Sequence, residues 1–267
     1  MPVEDLYGSI LAEHRRRSNR FTLLGLSVIA VIGTASFHSG LLDGQRIAEG
    51  VPSMLHLLGE MLPPNFAEAT NWLRPLLDTL AMSIASTALA VAFSIPLSLL
   101  AAKNVSPNPL VYHLARGVLN GLRSVPELIM GIVFVAAVGF GALPGVLALG
   151  LHSIGMIGKF FAEAIEHVHN GPVEASRAAG HSTLQVIFHG VLPQVMPQLA
   201  DVSIYRWEYN FRASTVMGMV GAGGIGLELM GALRLMQYRD VLALLIVILL
   251  MVTLVDGFSG YLRKQFK

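Results

Sequence analysis

Residues 241–261 read VLALLIVILLMVTLVDGFSGY, and Arg263, Lys264 and Lys267 close the chain behind them. A helix rises 1.5 Å per residue and the hydrocarbon layer is ~30 Å thick, so about 20 mainly apolar residues are needed to cross it. Val241 to Tyr261 meets that length, and the basic residues after it mark a cytoplasmic end. The rest of the chain repeats the pattern. Of its 267 residues, 54% are hydrophobic and 13% charged, against roughly 25% charged in an average soluble domain. The mean hydropathy of +0.62 is spread over several long runs, so a cleavable signal peptide does not account for it. The composition implies an all-α integral membrane protein. Cysteine is absent, which excludes disulfides and thiolate metal sites.

Six segments reach or approach spanning length. Residues 1–20 form a cytoplasmic N-terminal segment carrying Arg15, Arg16, Arg17 and Arg20, and residues 21–37 form the first span. Residues 38–75, with Asp43, Glu49, Glu60, Glu68, Pro63-Pro64 and Trp72, read as an external segment, partly an amphipathic helix near the interface. Residues 76–261 hold the remaining five spans, and residues 262–267 form a cytoplasmic tail. The second span covers about Leu76 to Ala102. The third, about Leu110 to Phe140, is interrupted by Arg123-Ser124-Val125-Pro126-Glu127. Proline and charge at membrane depth are tolerated where backbone lines a cavity or packs on protein, so this is a broken helix facing the bundle interior. The fourth span runs from about Val146 to Ala164 and the fifth from about Leu192 to Val216. A glycine-rich turn from Gly218 to Gly226 leads outside to the last. Six crossings place both termini in the cytoplasm, in agreement with the basic cluster at each end.

The polar loop at 166–190 is then cytoplasmic. Pro172 can start a short helix there, Glu174 favours its positive end, Gly180 can break it, and Pro193 suits the opening turn of the next span. The spacing Glu174-Ala175, four residues, Gly180, eleven residues, Leu192-Pro193 resembles the signature loop of ABC importer permeases, with Ser176 where a second alanine is common and Gly190 where isoleucine is common. The segments 122–127 (LRSVPE), 190–197 (GVLPQVMP), 210–215 (NFRAST) and 220–226 (VGAGGIG) resemble the phosphonate importer permeases, whose relatives also carry phosphite or hypophosphite. The likeness covers about Leu76 to the C-terminus. It implies a type I ABC importer permease fold in a bacterial inner membrane and a coupling helix formed by Glu174, Ala175, Ser176 and Gly180. It also implies a second copy of the permease, two ATP-binding subunits that hold ATP and magnesium, and an extracytoplasmic solute-binding protein. Methionine-type permeases, which share a glycine-rich external turn, are the alternative for substrate. A self-sufficient channel or carrier is the alternative from another class.

Residues 205–212 read YRWEYNFR, inside the fifth span. Arg206 lies 13 residues and Arg212 lies 19 residues beyond Pro193, about 20 Å and about 28 Å along a helix. A central arginine costs ~3 kcal/mol on insertion scales, so it must be paired or face water. Pairing of Arg206 with Glu208 or Glu127 would only fix packing. Alternatively Arg123, Arg206 and Arg212, with Ser124, Ser214 and Thr215 as hydroxyl partners and Glu127 and Glu208 among the pathway residues, line an electropositive route for a small oxyanion, which a guanidinium fork matches. Passage demands weak, transient contacts.

Gly221-Ala222-Gly223-Gly224-Ile225-Gly226 satisfies G-x-G-x-x-G, with Asp240 downstream, but Asp240 opens a membrane span and no second strand precedes it. Gly218, Gly221, Gly223, Gly224 and Gly226 form a tight external turn instead. Glu163, Glu166, His167 and His169 lack a third convergent metal ligand. His152 and Ser153 are satisfied by neighbouring helices. Gly158-Lys159 is followed by Phe160, so no Walker A sequence is present and this chain cannot hydrolyse ATP by that route. No nucleic-acid partner is expected. With cysteine absent, Glu174→Cys supplies a single reporter of sidedness. A membrane-impermeant maleimide is expected to label it in inverted vesicles and to leave it unlabelled in intact cells, and the opposite pattern would remove the coupling assignment.

Overall fold

A computed structural model describes residues 3–266, so Lys267 of the basic tail and the first two residues of the N-terminal segment lie outside the described residues. The chain divides into two units, one through Glu60 and one from Met61. The first holds α1 (Val3–His38) and α2 (Gly44–Met61, whose last residue belongs to the second unit). The apolar side chains of α1 between Phe21 and Phe37 are exposed, as a lipid-facing helix requires. Asp43 starts α2 by accepting from the Gln45 and Arg46 amides.

The second unit holds α3 (Leu73–Ala101), α4 (Pro109–Ser124), α5 (Glu127–Val138), α6 (Ala142–Glu166), α7 (Asn170–Ala178), α8 (Thr183–Val186), α9 (Leu192–Met217), α10 (Ile225–Arg234) and α11 (Tyr238–Gln265). Over the whole described chain, four helices are long and apolar enough to cross a membrane, or up to six if each bent pair is one span. One such pair is α4 with α5, bent by 85°. The cause is Pro126, which excludes the helical region for the residue before it. Val125 accordingly sits at φ −87°, ψ 123°.

The centre of the unit is α3 packed on α6. Thr79, Ser83, Ser86, Thr87, Ala90, Ser94, Ser98 and Ala101 recur every three or four residues on α3, and all are buried. Small side chains let two backbones approach closely, the usual solution where lipid supplies no hydrophobic drive between helices. Most of the hydroxyls donate to carbonyls one turn back, but Ser94 donates across to the Ile154 carbonyl on α6 at 3.2 Å. On another face of α6, Gly155 supports α4: a Cβ there would lie 2.6 Å from the Leu119 oxygen and 2.7 Å from the Arg123 nitrogen.

Two ends of this bundle are defined by hydrogen bonds. At one, Glu166 accepts from the Lys103 amide and from Arg116, whose Nε reaches the Ala101 carbonyl. At the other, Thr79 Oγ1 accepts from the Ile225 amide at 2.9 Å and the Gly221 carbonyl accepts from Gly141 at 3.2 Å. From position 79 to position 101 is 22 steps along α3, about 33 Å, close to the hydrocarbon thickness.

Several expectations change. The third span does not run to Phe140 but ends in α5 at Val138, and the fifth runs one residue further, to Met217. The stretch after it is less loop than the glycines suggest: a 3-10 turn (Gly218–Val220) is followed by α10, in which Leu, Glu, Met and Ala favour a helix. Trp72, expected near the interface, is buried against Ile225, Val241 and Leu244. Gly155→Val would press a branched side chain onto the α4 backbone, and it is expected to destabilise the protein by about 3 kcal/mol. Thermal unfolding in detergent checks this, with Gly257→Val, which meets open space, expected to leave the midpoint unchanged.

Candidate functional site

Arg206 lies near the middle of the bundle and is 6% exposed. Its Nε donates to Ser153 Oγ on α6 at 2.8 Å. Ser153 donates in turn to Asn210 Oδ1 at 3.0 Å, and Asn210 Nδ2 donates to Thr87 Oγ1 on α3 at 2.9 Å. The guanidinium carbon stands 4.1 Å from the centre of the Tyr209 ring, a cation–π contact in a desolvated place. Nη2 is buried and has no hydrogen-bond partner among the described residues.

Neither anticipated partner holds Arg206. Residues two apart on a helix point to opposite sides, so Glu208 faces away from it. Four residues on, Arg212 shares Glu208's side and donates to it at 2.9 Å, while Arg263 of α11 donates to its other oxygen at 3.1 Å. Arg212 also reaches Asp256 at 3.2 Å. Two arginines and two carboxylates thus join α9 to α11 with no net charge. Arg263, read as the mark of the cytoplasmic boundary, lies beside Glu208, 16 residues past the start of α9. A buried carboxylate needs counter-charge, and arginine's long stem can deliver it from a distance.

Glu127 is taken by other groups. Tyr209 donates its hydroxyl to Oε1 at 2.6 Å, and His152 Nε2 stands 3.3 Å from Oε2. Glu127, Leu128, Tyr209, Arg212, Ala213 and Val216 line a cavity of about 240 Å³. The structure therefore brings Arg212 and Glu127 to one cavity and Arg206 to its wall through Tyr209. Arg123 instead bonds Asn120 on its own helix at 3.0 Å. Ser124, Ser214 and Thr215 donate to the carbonyls of Asn120, Phe211 and Arg212. Ser153, Tyr209, Asn210, Asp256 and Arg263 belong to this network without having been singled out for it. The one signal available for Asp256 was a carboxylate inside an apolar run.

At the opposite end of the bundle from the glycine turn, α7 carries Glu174 and Ala175, both exposed, and Ser176, which is buried. Gly180 follows with φ +80°, a left-handed conformation that terminates a helix. The two departures from the common signature have local explanations. Ser176 Oγ lies 2.8 Å from His181 Nδ1. Gly190 is inside a π-helical turn (Ile187–Val191), where a Cβ would come 3.1 Å from the Val173 Cα. Leu192 and Pro193 open α9 directly after that turn, and Gln194 accepts from the His169 amide.

In the glycine turn, Gly221, Gly223 and Gly224 have positive φ, and Gly226 abuts the Thr215 carbonyl so closely that no Cβ fits. Among the described residues no three His, Asp or Glu side chains converge as metal ligands.

The family model of binding-protein-dependent transport system inner membrane components matches residues 94–267. The phosphite transport system permease protein PtxC of Stutzerimonas stutzeri is 68% identical over 90% of this chain and 87% of its own length. A putative phosphite transport system permease protein of the same organism, HtxC, is 37% identical over 97% of this chain and 92% of its own. Among solved structures, an inward-facing MetNI methionine ABC transporter matches 75% of this chain and 99% of the matched chain, with TM-score 0.64 and 22% identity, a likeness of fold.

The charge cluster makes a quantitative expectation. Glu208→Gln leaves Arg212 and Arg263 with one carboxylate between them. The loss is expected to be about 2 kcal/mol, below the 3–5 kcal/mol of a fully buried pair, because the Arg212 side chain is 41% exposed. A double-mutant cycle with Arg263→Gln, read by thermal unfolding, should recover about half of it.

Proposed function

The chain belongs to the inner membrane components of binding-protein-dependent transport systems, and from that premise we propose that the solute it passes inward is a small phosphorus oxyanion, phosphite first among them. It is a multi-pass permease subunit of an ABC importer, with ATP hydrolysis on separate subunits and solute delivered by a binding protein. The observation that supports the substrate is 68% identity, over nine tenths of the chain, to a phosphite permease. The site is chemically consistent with it: Arg212 lines the cavity, and Tyr209, which forms its wall, carries on its ring the buried Arg206 guanidinium with an uncommitted Nη2, a pair of cations that suits an oxyanion better than a zwitterion or a sugar.

In this reading Arg206 and Arg212 attract the anion, and Glu127 prevents it from binding tightly enough to stall. Arg123, Ser124, Ser214 and Thr215 have secondary parts along the route, because their polar groups are already engaged by their own helices. A second copy completes the pathway. The exposed face of α7 at Glu174 and Ala175, closed by Gly180 and backed by Leu192-Pro193, seats on the ATPase, both chain termini being cytoplasmic. ATP binding closes the ATPase pair and carries α7 with it. The glycine turn at Gly218 to Gly226 lies on the external side, where its tight packing on Thr79 closes the bundle.

Vesicles reconstituted with the permease, its ATPase and its binding protein should take up phosphite only when ATP is supplied. Arg206→Gln is expected to lower that uptake at least tenfold, with assembly intact on size exclusion. Uptake of methionine in place of phosphite, or undiminished phosphite uptake by Arg206→Gln, would overturn this reading.

A further inference from the structure

The groups around the break between α4 and α5 fit together in a way that anion passage does not require. His152 sits 9% exposed on α6, and both of its ring nitrogens face acceptors. Nδ1 is 3.1 Å from the Val125 carbonyl, and Nε2 is 3.3 Å from Glu127 Oε2. Val125 and Glu127 flank Pro126, the residue that breaks the helix, so one imidazole grips both sides of the bend. From α9, Tyr209 donates to the other Glu127 oxygen at 2.6 Å. The bend is thus pinned to α6 and to α9 by two side chains that converge on a single carboxylate.

The proton inventory of this arrangement is constrained. A carbonyl has no proton to give, so Nδ1 carries one. Between Nε2 and Oε2 a second proton must lie, either on the ring beside a carboxylate or on the carboxyl beside a neutral ring. Without it, a nitrogen lone pair faces a negative oxygen and the contact becomes repulsive. The other charged and titratable groups facing the pair are Tyr209 and, stacked on its ring, Arg206, together with Arg212 across the shared cavity and Arg123 on α4, held by Asn120.

We infer that His152, Glu127 and Tyr209 form a proton-dependent clasp that holds α5 at its angle to α4, and that loss of the shared proton releases α5 to pivot at Val125-Pro126. Val125 is extended and Pro126 has no N–H, so no helical hydrogen bond holds α4 and α5 in line, and what resists the pivot is the clasp together with the packing of Met130 and Phe134 beside Met82, Leu149 and Met217. His152 is a positioning residue: it acts on the pathway by fixing where Glu127 and α5 stand. As pH rises the shared proton leaves and the bend relaxes; at lower pH it is retained. This holds whichever anion the chain carries.

Cysteine is absent from the chain, so spin labels on Leu114→Cys in α4 and Val138→Cys in α5, both exposed positions, report the angle directly. The labelled full chain, diluted with unlabelled copies in its assembled complex in lipid vesicles, is measured by pulsed dipolar spectroscopy from about pH 5 to about pH 8, the range in which histidine exchanges its proton. A swing of about 20° moves the far end of a twelve-residue helix, ~18 Å long, by about 6 Å. The wild-type background is expected to show a shift of that size as pH rises. Glu127→Gln, whose amide can donate to a neutral imidazole and still accept from Tyr209, should keep the low-pH distance throughout. His152→Phe should show the released distance at every pH. A constant distance in the wild-type background, a pH shift that survives Glu127→Gln, or a bent distance retained by His152→Phe would each overturn the clasp. No outcome depends on solute uptake, so the substrate reading stands or falls separately.

Discussion

Hydrocarbon cannot solvate a guanidinium, so a bundle that carries Arg206 at its middle must satisfy it with protein groups. Much of the central structure follows from how this is done. Ser153 answers Arg206 from α6, Asn210 answers Ser153 from α9, and Thr87 answers Asn210 from α3. The chain of donors and acceptors fixes the rotation and offset of three helices at once, because a slip of one residue in any of them would strand a buried polar group. The Tyr209 ring covers the cation and simultaneously ties α9 to Glu127 at the helix break. One of its nitrogens, Nη2, is left without a partner among the described residues.

Close packing makes that network possible. The small-residue face of α3 and the glycines of α6 bring backbones together, so short side chains such as Ser153 and Thr87 can both reach Asn210 of α9. The same closeness leaves no room for adjustment. At Gly155 of α6, which meets α4, and at Gly226 after the glycine turn, the nearest neighbour is backbone rather than a movable side chain. The break at Val125-Pro126 and the π-helical turn before Leu192, by contrast, interrupt regular hydrogen bonding.

Along α3, Thr79 at the glycine-turn end and Ala101 at the α7 end stand about 33 Å apart, and the polar network lies between them. From the π-helical turn, α9 bonds His169 through Gln194 and carries Arg206, Tyr209 and Arg212 on its later turns. One continuous helix thus joins the α7 end of the bundle to the polar network at its middle.

Much of this was legible in the sequence, for a physical reason. Membrane thickness sets a length that any spanning run must meet on its own, proline forbids a helical residue before it, and glycine ends a helix wherever it takes positive φ. Span positions, the break at Pro126 and the helix ending before Gly180 are therefore local properties, readable in a few consecutive residues. So was the two-sided logic of Arg206, since a buried charge announces itself in an apolar run. What it pairs with was not readable. Ser153 lies 53 residues away, Arg263 is 55 residues from Glu208 and His152 is 25 from Glu127. Such partnerships depend on how helices rotate and slide against one another. That was decided only when the small faces of α3 and α6 closed, and no periodicity along one helix encodes it.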